Sequence, residues 1–372
     1  MARMSIRRLS RRCLLASAAA GLVIQARKAC RSDESATAVA PASTSGPKPD
    51  PYRDAVLVDG EPPLPGEGSL TFVVLPDTQN YSESFPDLFT AQTEWIVARR
   101  QARRIAGVFH LGDITNRNTP AEWDNARRSM KVLDDARMPF CMVPGNHDYG
   151  AGGQAADRTT LLNDHFPLAT QAKRAGWGGV YDREPDRVDN NFQFVEAEGR
   201  KFLVLGLEFG PRKDVVRWAN EIAGDHPHHE IILVTHAFVY HDDTRYDWRT
   251  FKDGQSWNPH SYGVATRFGD DVHDGEELWQ NLVSRHRNFI LNLNGHVLGD
   301  GLGRLATTAH GREISQQLVN FQMRPNGGDG WLRLVEMRPD GTARAYDFSP
   351  TRGQRNESPQ NQFRFGVPAV GA

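Results

Sequence analysis

Cysteine is scarce: the 372 residues contain three. Cys13 and Cys30 fall in the first thirty positions, and Cys141 sits in an apolar, strand-like run that reads as plain core. At most one intramolecular disulfide is available, which excludes a cysteine-stapled scaffold. Long hydrophobic runs are also rare. The single apolar stretch, Cys13–Ile24, is twelve residues long, too short to span a bilayer comfortably, so no transmembrane segment is expected in the mature chain. Strong net charge is missing as well, with 44 Lys and Arg against 46 Asp and Glu. The balance is uneven: residues 1–30 carry seven basic side chains and no acidic one, leaving 37 basic against 46 acidic in the remainder. A body this acidic is a poor general binder of polyanions, because counterion release needs clustered Lys and Arg, and long nucleic acid is not an expected partner. With 39% hydrophobic residues and 34 glycines, the composition is that of an ordinary globular protein, not of a collagen, coiled coil or disordered chain.

The basic start followed by the short apolar stretch reads as a secretory signal over residues 1–30. Within it, Ser10-Arg11-Arg12-Cys13-Leu14-Leu15 resembles a twin-arginine signal, which implies export of the folded chain by the twin-arginine translocation machinery. The expected location is then periplasmic or extracellular. Cys30 offers a lipid tether as an alternative, although Arg27 and Lys28 interrupt the apolar box such a site uses. Residues 31–67, rich in Ser, Thr, Ala and Pro, read as a linker. Residues 68–350 read as the catalytic domain, and 351–372 as a polar tail.

From Ser69 the pattern becomes periodic. Apolar runs at Leu70–Leu75, Gly107–Leu111, Phe140–Val143, Ile231–Val234 and Phe289–Leu293 read as strands. Helical spacing covers Phe85–Arg104, Pro120–Arg137, Arg212–Ala223 and Asp274–Arg287. Hairpins are expected at Phe192–Leu207 and Trp331–Phe348. Alternation at βαβ length argues for an α/β domain with a mainly parallel sheet. Residues 237–272, aromatic and polar, read as one long loop, either functional or an insertion.

Polar residues of metal-ligand type close five strands: Asp77 with Gln79, Asp113, Asn146, His236 and His296. In an open α/β sheet, ligands bind beyond the carboxyl ends of strands, where side chains distant in sequence converge. One such residue alone is more often a turn former. Five, three of them beside glycine, form a pattern. The series Asp77-Thr78-Gln79, Gly112-Asp113, Gly145-Asn146-His147-Asp148, Thr235-His236 and Gly295-His296 resembles the calcineurin-like metallophosphoesterase superfamily. Its Asp-x-Gln form is similar to a serine/threonine protein phosphatase branch.

That resemblance implies a four-layer α/β/β/α sandwich, with two mixed sheets flanked by helices. It also implies two divalent ions bridged by Asp113. One would take Asp77, Gln79 and Asp113; the other Asp113, Asn146, His236 and His296. His147 would be the general acid, with Asp148 orienting its ring. Gln79 stands where the family usually has His, and Leu298 where many members have the last His of Gly-His-x-His. The first site is thereby left with oxygen donors alone and suits Mn, Mg or Ca, while the second suits Mn, Fe or Zn. The implied activity is hydrolysis of phosphate monoesters, on a phosphoprotein or a small phosphomonoester, by metal-activated hydroxide. The alternatives are a phosphodiesterase acting on nucleotides or lipid head groups, and a non-catalytic metal-containing surface protein. Asn80, Asn116, Arg245 and Tyr246 are the substrate-side candidates. His110, inside an apolar strand, reads as a satisfied core histidine.

Overall fold

Continuous burial of the central strands on both faces sets two sheets among three apolar layers. The computed structural model describes residues 52–367. The signal segment, Cys13, Cys30 and the first part of the linker lie outside them. The strands are β1 (Leu57–Asp59), β2 (Leu70–Leu75), β3 (Ile105–His110), β4 (Phe140–Met142), β5 (Trp177–Val180), β6 (Asn191–Ala197), β7 (Arg200–Gly206) and β8 (Glu230–Val234). They continue with β9 (Phe289–Asn294), β10 (Leu302–Ala309), β11 (Arg312–Val319), β12 (Leu332–Met337), β13 (Thr342–Ser349), β14 (Gln354–Asn356) and β15 (Gln362–Gly366). One sheet runs β1-β14-β13-β12-β2-β3-β4, with β15 also on β13. The other runs β10-β11-β9-β8-β7-β6-β5. Pairing is parallel for β2 with β3 and β3 with β4, and for β7, β8, β9 and β11 in turn; the remaining pairs are antiparallel. Both sheets are therefore mixed, where βαβ spacing alone suggested a mainly parallel one.

Side chains on successive strand positions face opposite ways, so each central strand feeds two layers. Phe72, Val74 and Phe109 from the first sheet meet Phe202, Val204, Ile232 and Leu293 from the second, and Phe72 and Phe202 touch edge-on at 5.1 Å. Val73, Leu75 and Val108 point outward onto Phe89, Ile96, Trp123 and Met130. These come from helices Pro86–Arg99 and Pro120–Asp135. Leu203, Leu205, Ile231 and Leu233 point outward onto Trp218 and Ala219 of helix Lys213–Asp225 and onto Leu278. The result is helix, sheet, sheet, helix. Helix Pro120–Asp135 starts where it does because Thr119 and Glu122 form a capping box ahead of Pro120.

Several boundaries need correction. The expected helix from Phe85 is shorter, Pro86–Arg99, and is preceded by a separate turn of helix, Gln79–Ser84. Helix Asp274–Arg287 ends at Asn281. The linker expected to extend to residue 67 is ordered before that: β1 pairs with β14, and Glu61 binds the buried Arg103 at 2.7 Å. The tail expected over 351–372 contains β14 and β15. Asn361 donates to Asp347, which forms a fully buried pair with Arg333 at 2.7 Å. Cys141 is buried core, as its sequence context implies, and burial pushes its thiol up to about 12. No helix among the described residues is long and apolar enough to cross a membrane.

Candidate metal centre

The parallel strands β2, β3 and β4 of one sheet, and β8 and β9 of the other, end at one edge of the sandwich. The loop after each delivers one polar side chain. Asp77 follows β2, Asp113 follows β3, Asn146 follows β4, His236 follows β8 and His296 follows β9, and all five are buried. Ligand atoms of Asp113, His236 and His296 lie within 4.8 Å of one another. His236 Nε2 is 3.2 Å from Asp113 Oδ1, 3.2 Å from Asn146 Oδ1 and 3.2 Å from His296 Nδ1. Asp77 joins through its carboxylate, which accepts the His296 N–H at 3.0 Å. Gln79 opens helix Gln79–Ser84, and its Oε1 is buried without a hydrogen-bond partner.

Backbone carbonyls fix both imidazoles. A carbonyl only accepts, so His236 presents Nδ1–H to Leu111 O at 2.8 Å and His296 presents Nε2–H to Trp257 O at 2.7 Å. The nitrogens left over, His236 Nε2 and His296 Nδ1, are the two that face each other. Two imidazole lone pairs, a carboxylate and an amide oxygen thus converge with no donor among them, an arrangement that calls for a cation. The electrostatics agree. Burial alone would lower the His236 pKa, yet the Asp113 carboxylate raises it to about 9. Burial and the charge on His236 hold His296 down at about 3. Burial would raise Asp113, but His236 holds it below the usual carboxylate range. Burial, reinforced by Asp113, raises Asp77 well above that range. The Asp113 carboxylate thus makes the space beside His236 favourable for positive charge. The donor set, the facing lone pairs and the orphaned Gln79 oxygen fit the binding of divalent metal at this edge of the sandwich.

His147 is the one imidazole of the group that is not fully buried. Its backbone N–H donates to Asp113 Oδ1 at 2.9 Å, and Nδ1 binds the Asn116 carbonyl at 2.8 Å. Because a carbonyl only accepts, Nδ1 carries the hydrogen and Nε2 is the ring nitrogen left over. Asp148 does not orient this ring, contrary to expectation. Its carboxylate accepts the N–H groups of Gly145, Ile114 and Thr115 and the Thr115 hydroxyl, at 2.8–3.0 Å. It is a brace between the Asp113 loop and the Asn146 loop.

The substrate-side candidates fare unevenly. Asn116 acts through its carbonyl on His147, while its amide binds Glu83. Asn80 donates to the Gln322 carbonyl. Arg245 is committed elsewhere, to Glu276 at 2.6 Å and to the face of Trp279. Tyr246 is fully buried and donates to Ser256 O. Neither Arg245 nor Tyr246 offers a free group to substrate. His110 is a satisfied core residue, bonded to Thr78 and Gly112. A second acidic group, His260 with Asp274 and Glu277, is the capping box of helix Gly275–Asn281 plus a His260–Glu277 pair at 2.7 Å.

Two contributors escape the sequence. The Trp257 carbonyl has no side-chain signature. Asn320, which donates to Asp77 Oδ2 at 2.9 Å, ends β11 just as the ligands end their strands, but the β10–β11 hairpin was itself not evident.

Residues 70–315 match the calcineurin-like phosphoesterase family, well over half of the chain, and the protein belongs to that family. It is a metallophosphoesterase by fold and by the donors gathered at its strand ends. A Bacillus subtilis (strain 168) relative, the uncharacterized protein YvnB, is 29% identical over 289 residues, covering 76% of this chain and 20% of its own length. The DNA double-strand break repair protein Mre11 of Haloferax volcanii is 31% identical over 137 residues, 34% of this chain and 29% of its own. The chain therefore spans less than a third of either relative. Among solved structures, a purple acid phosphatase from yellow lupin seeds aligns with a TM-score of 0.48 and 12% identity, over 82% of this chain and 55% of that one. The NAD nucleotidase of Haemophilus influenzae aligns with a TM-score of 0.39 and 12% identity, over 80% and 50%.

Proposed function

We propose that this protein is an exported dinuclear-metal phosphoesterase whose substrates are phosphate monoesters, a phosphoprotein or a small phosphomonoester. The observation that carries the reading is the set of acceptor atoms of Asp77, Gln79, Asp113, Asn146, His236 and His296 at one edge of the sandwich, with His147 partly exposed beside it. Two divalent ions held there supply neutralisation of the phosphate charge and acidification of water. The chain's own contribution is positional. Asn146 and Gln79 offer neutral oxygens, so the centre stays electropositive toward an anionic ester. Leu111 and Trp257 fix the imidazole tautomers, which keeps the lone pairs inward. His147 Nε2 delivers the proton to the departing oxygen, since Asn116 holds its other nitrogen in either protonation state.

The test uses the full chain loaded with Mn²⁺ and an aryl phosphate monoester. His147→Ala is expected to lose about 10²–10⁴-fold in kcat, the usual share of general acid catalysis, with both ions retained by metal analysis. Faster turnover of an aryl diester would assign a phosphodiesterase instead. Full occupancy without turnover of either ester would assign a non-catalytic metal protein.

Export rests on Arg11-Arg12 followed by the apolar stretch to Ile24. Replacing both arginines by lysine is expected to leave unprocessed chain in the cytoplasmic fraction. Unchanged fractionation of that variant would remove the twin-arginine route.

A further inference from the structure

The first metal site is short of donors. Leu298 occupies the place where the resembling family has a second imidazole, and Asp77, Gln79 and Asp113 are three residues for an ion that prefers about six oxygens. Gln322 lies in the same corner. Asn320 connects it to Asp77: the Asn320 amide donates to Asp77 Oδ2 at 2.9 Å, and its Oδ1 accepts the Gln322 N–H at 2.9 Å. Asn80, the chain neighbour of Gln79, donates to the Gln322 carbonyl at 3.2 Å. Gln322 is thus fastened on one side to Asp77 and on the other to the residue after Gln79.

Its side-chain Oε1 is buried and has no hydrogen-bond partner, and the residue is only 6% exposed. An unsatisfied buried acceptor is costly, so native structures seldom leave one idle. Among the described residues, the buried side-chain amide oxygens in this condition are those of Gln79, Gln92, Asn292 and Gln322. Of these, Gln79 and Gln322 are the two that bonds or chain adjacency tie to Asp77. Gln92 sits inside helix Pro86–Arg99 and Asn292 inside β9.

We infer that Gln322 Oε1 is a fourth protein oxygen of the first metal site, supplied from the segment after β11 in place of the missing imidazole. The inference rests on the dinuclear reading above. A neutral amide there keeps the site hard and oxygen-only, and leaves more positive charge on the ion than a carboxylate would.

Metal-stripped full-length protein titrated with Mn²⁺ alone tests this, read by calorimetry and by the exchange-coupled paramagnetic resonance spectrum of a Mn pair. Wild type is expected to take up two equivalents. Gln322→Met, which keeps the shape and removes the oxygen, is expected to keep one equivalent, weaken the other by at least about tenfold and lose the coupled spectrum. Gln322→Glu is expected to bind the weaker equivalent more tightly than wild type does. Two equivalents at wild-type affinity in Gln322→Met, with the coupled spectrum intact, overturn the inference and leave the dinuclear reading standing. Fewer than two equivalents in wild type overturn both. If Gln322→Met lowers the melting temperature of metal-stripped protein, Gln322→Glu decides: tighter binding supports the ligand role, and unchanged or weaker binding removes it.

Discussion

Asp113→Asn is expected to abolish binding of both metal ions and to reduce phosphoesterase activity to background. Asp113 is the residue proposed to bridge the two ions. Its Oδ1 lies 3.2 Å from His236 Nε2 and accepts the His147 N–H, while its carbonyl accepts the Thr78 N–H. The carboxylate is also the negative charge that holds the His236 pKa at about 9 against burial. Asparagine preserves the volume and tolerates the left-handed backbone at this position, where φ is +48°. Loss of metal would therefore report charge, not misfolding. A second readout follows in metal-stripped protein. A histidine whose folded pKa lies above its unfolded value of about 6.5 contributes stability below that value and loses it as pH rises through the folded pKa. Metal-stripped wild type should accordingly lose melting temperature between about pH 6.5 and pH 9, and Asp113→Asn should show a flatter profile. Two tightly bound ions in Asp113→Asn would remove the bridging role.

How much of this was legible in sequence divides along a physical line. The side chains gathered at the strand ends were, because a polar side chain directly after a buried apolar strand interrupts a clear pattern, and Gly-Asn-His-Asp is specific. The central strands β2, β3, β8 and β9 were, because they are buried on both faces and read as continuous apolar runs. The edges were not. Strands β1, β14 and β15 are three to five residues long and half polar, since their outer faces meet solvent, and nothing local separates them from a tether. β10 and β11 read Gly-Arg-Leu-Ala-Thr-Thr and Glu-Ile-Ser-Gln-Gln, a polar ladder fixed by its partner strands. The role given to Asp148 failed for a related reason. Adjacency in Asn-His-Asp suggested a histidine partner, but the short helical turn Asn146–Asp148 carries that carboxylate back to backbone amides. Arg245 failed because its partners, Glu276 and Trp279, lie more than thirty residues away. Proximity to His236 in sequence gave no hint of them.

Gly145→Ala is expected to disable the centre with a single methyl group. A Cβ at residue 145 would lie 2.1 Å from Asp113 Oδ1 and 2.3 Å from the Asp113 backbone nitrogen, far inside any real contact. Backbone freedom is not the issue here, because Gly145 has φ −92° and ψ −173°, extended values that alanine adopts readily. What the glycine permits is the close approach of two loops, one bearing Asp113 and the other Asn146, which Asp148 then pins through the Gly145 and Ile114 amides. The added methyl must push Asp113 away from Asn146 and His236. Overpacking of this kind costs about 1–3 kcal/mol of stability. A ligand displaced by an ångström costs about 10²-fold or more in rate. Gly295→Ala provides an independent repeat on the other side, since its Cβ would lie 2.0 Å from Asp77 Oδ1. Gly224→Ala is the control: it sits near the end of helix Lys213–Asp225, its nearest neighbour would be 4.0 Å away, and alanine favours the helix. Metal content, melting temperature and turnover measured on the three variants separate the explanations. Loss of metal in Gly145→Ala and Gly295→Ala, with Gly224→Ala unchanged or slightly stabilised, ties the centre to the contact between loops. Normal metal content in Gly145→Ala would show that Asp113 and Asn146 need not approach as closely as they do here.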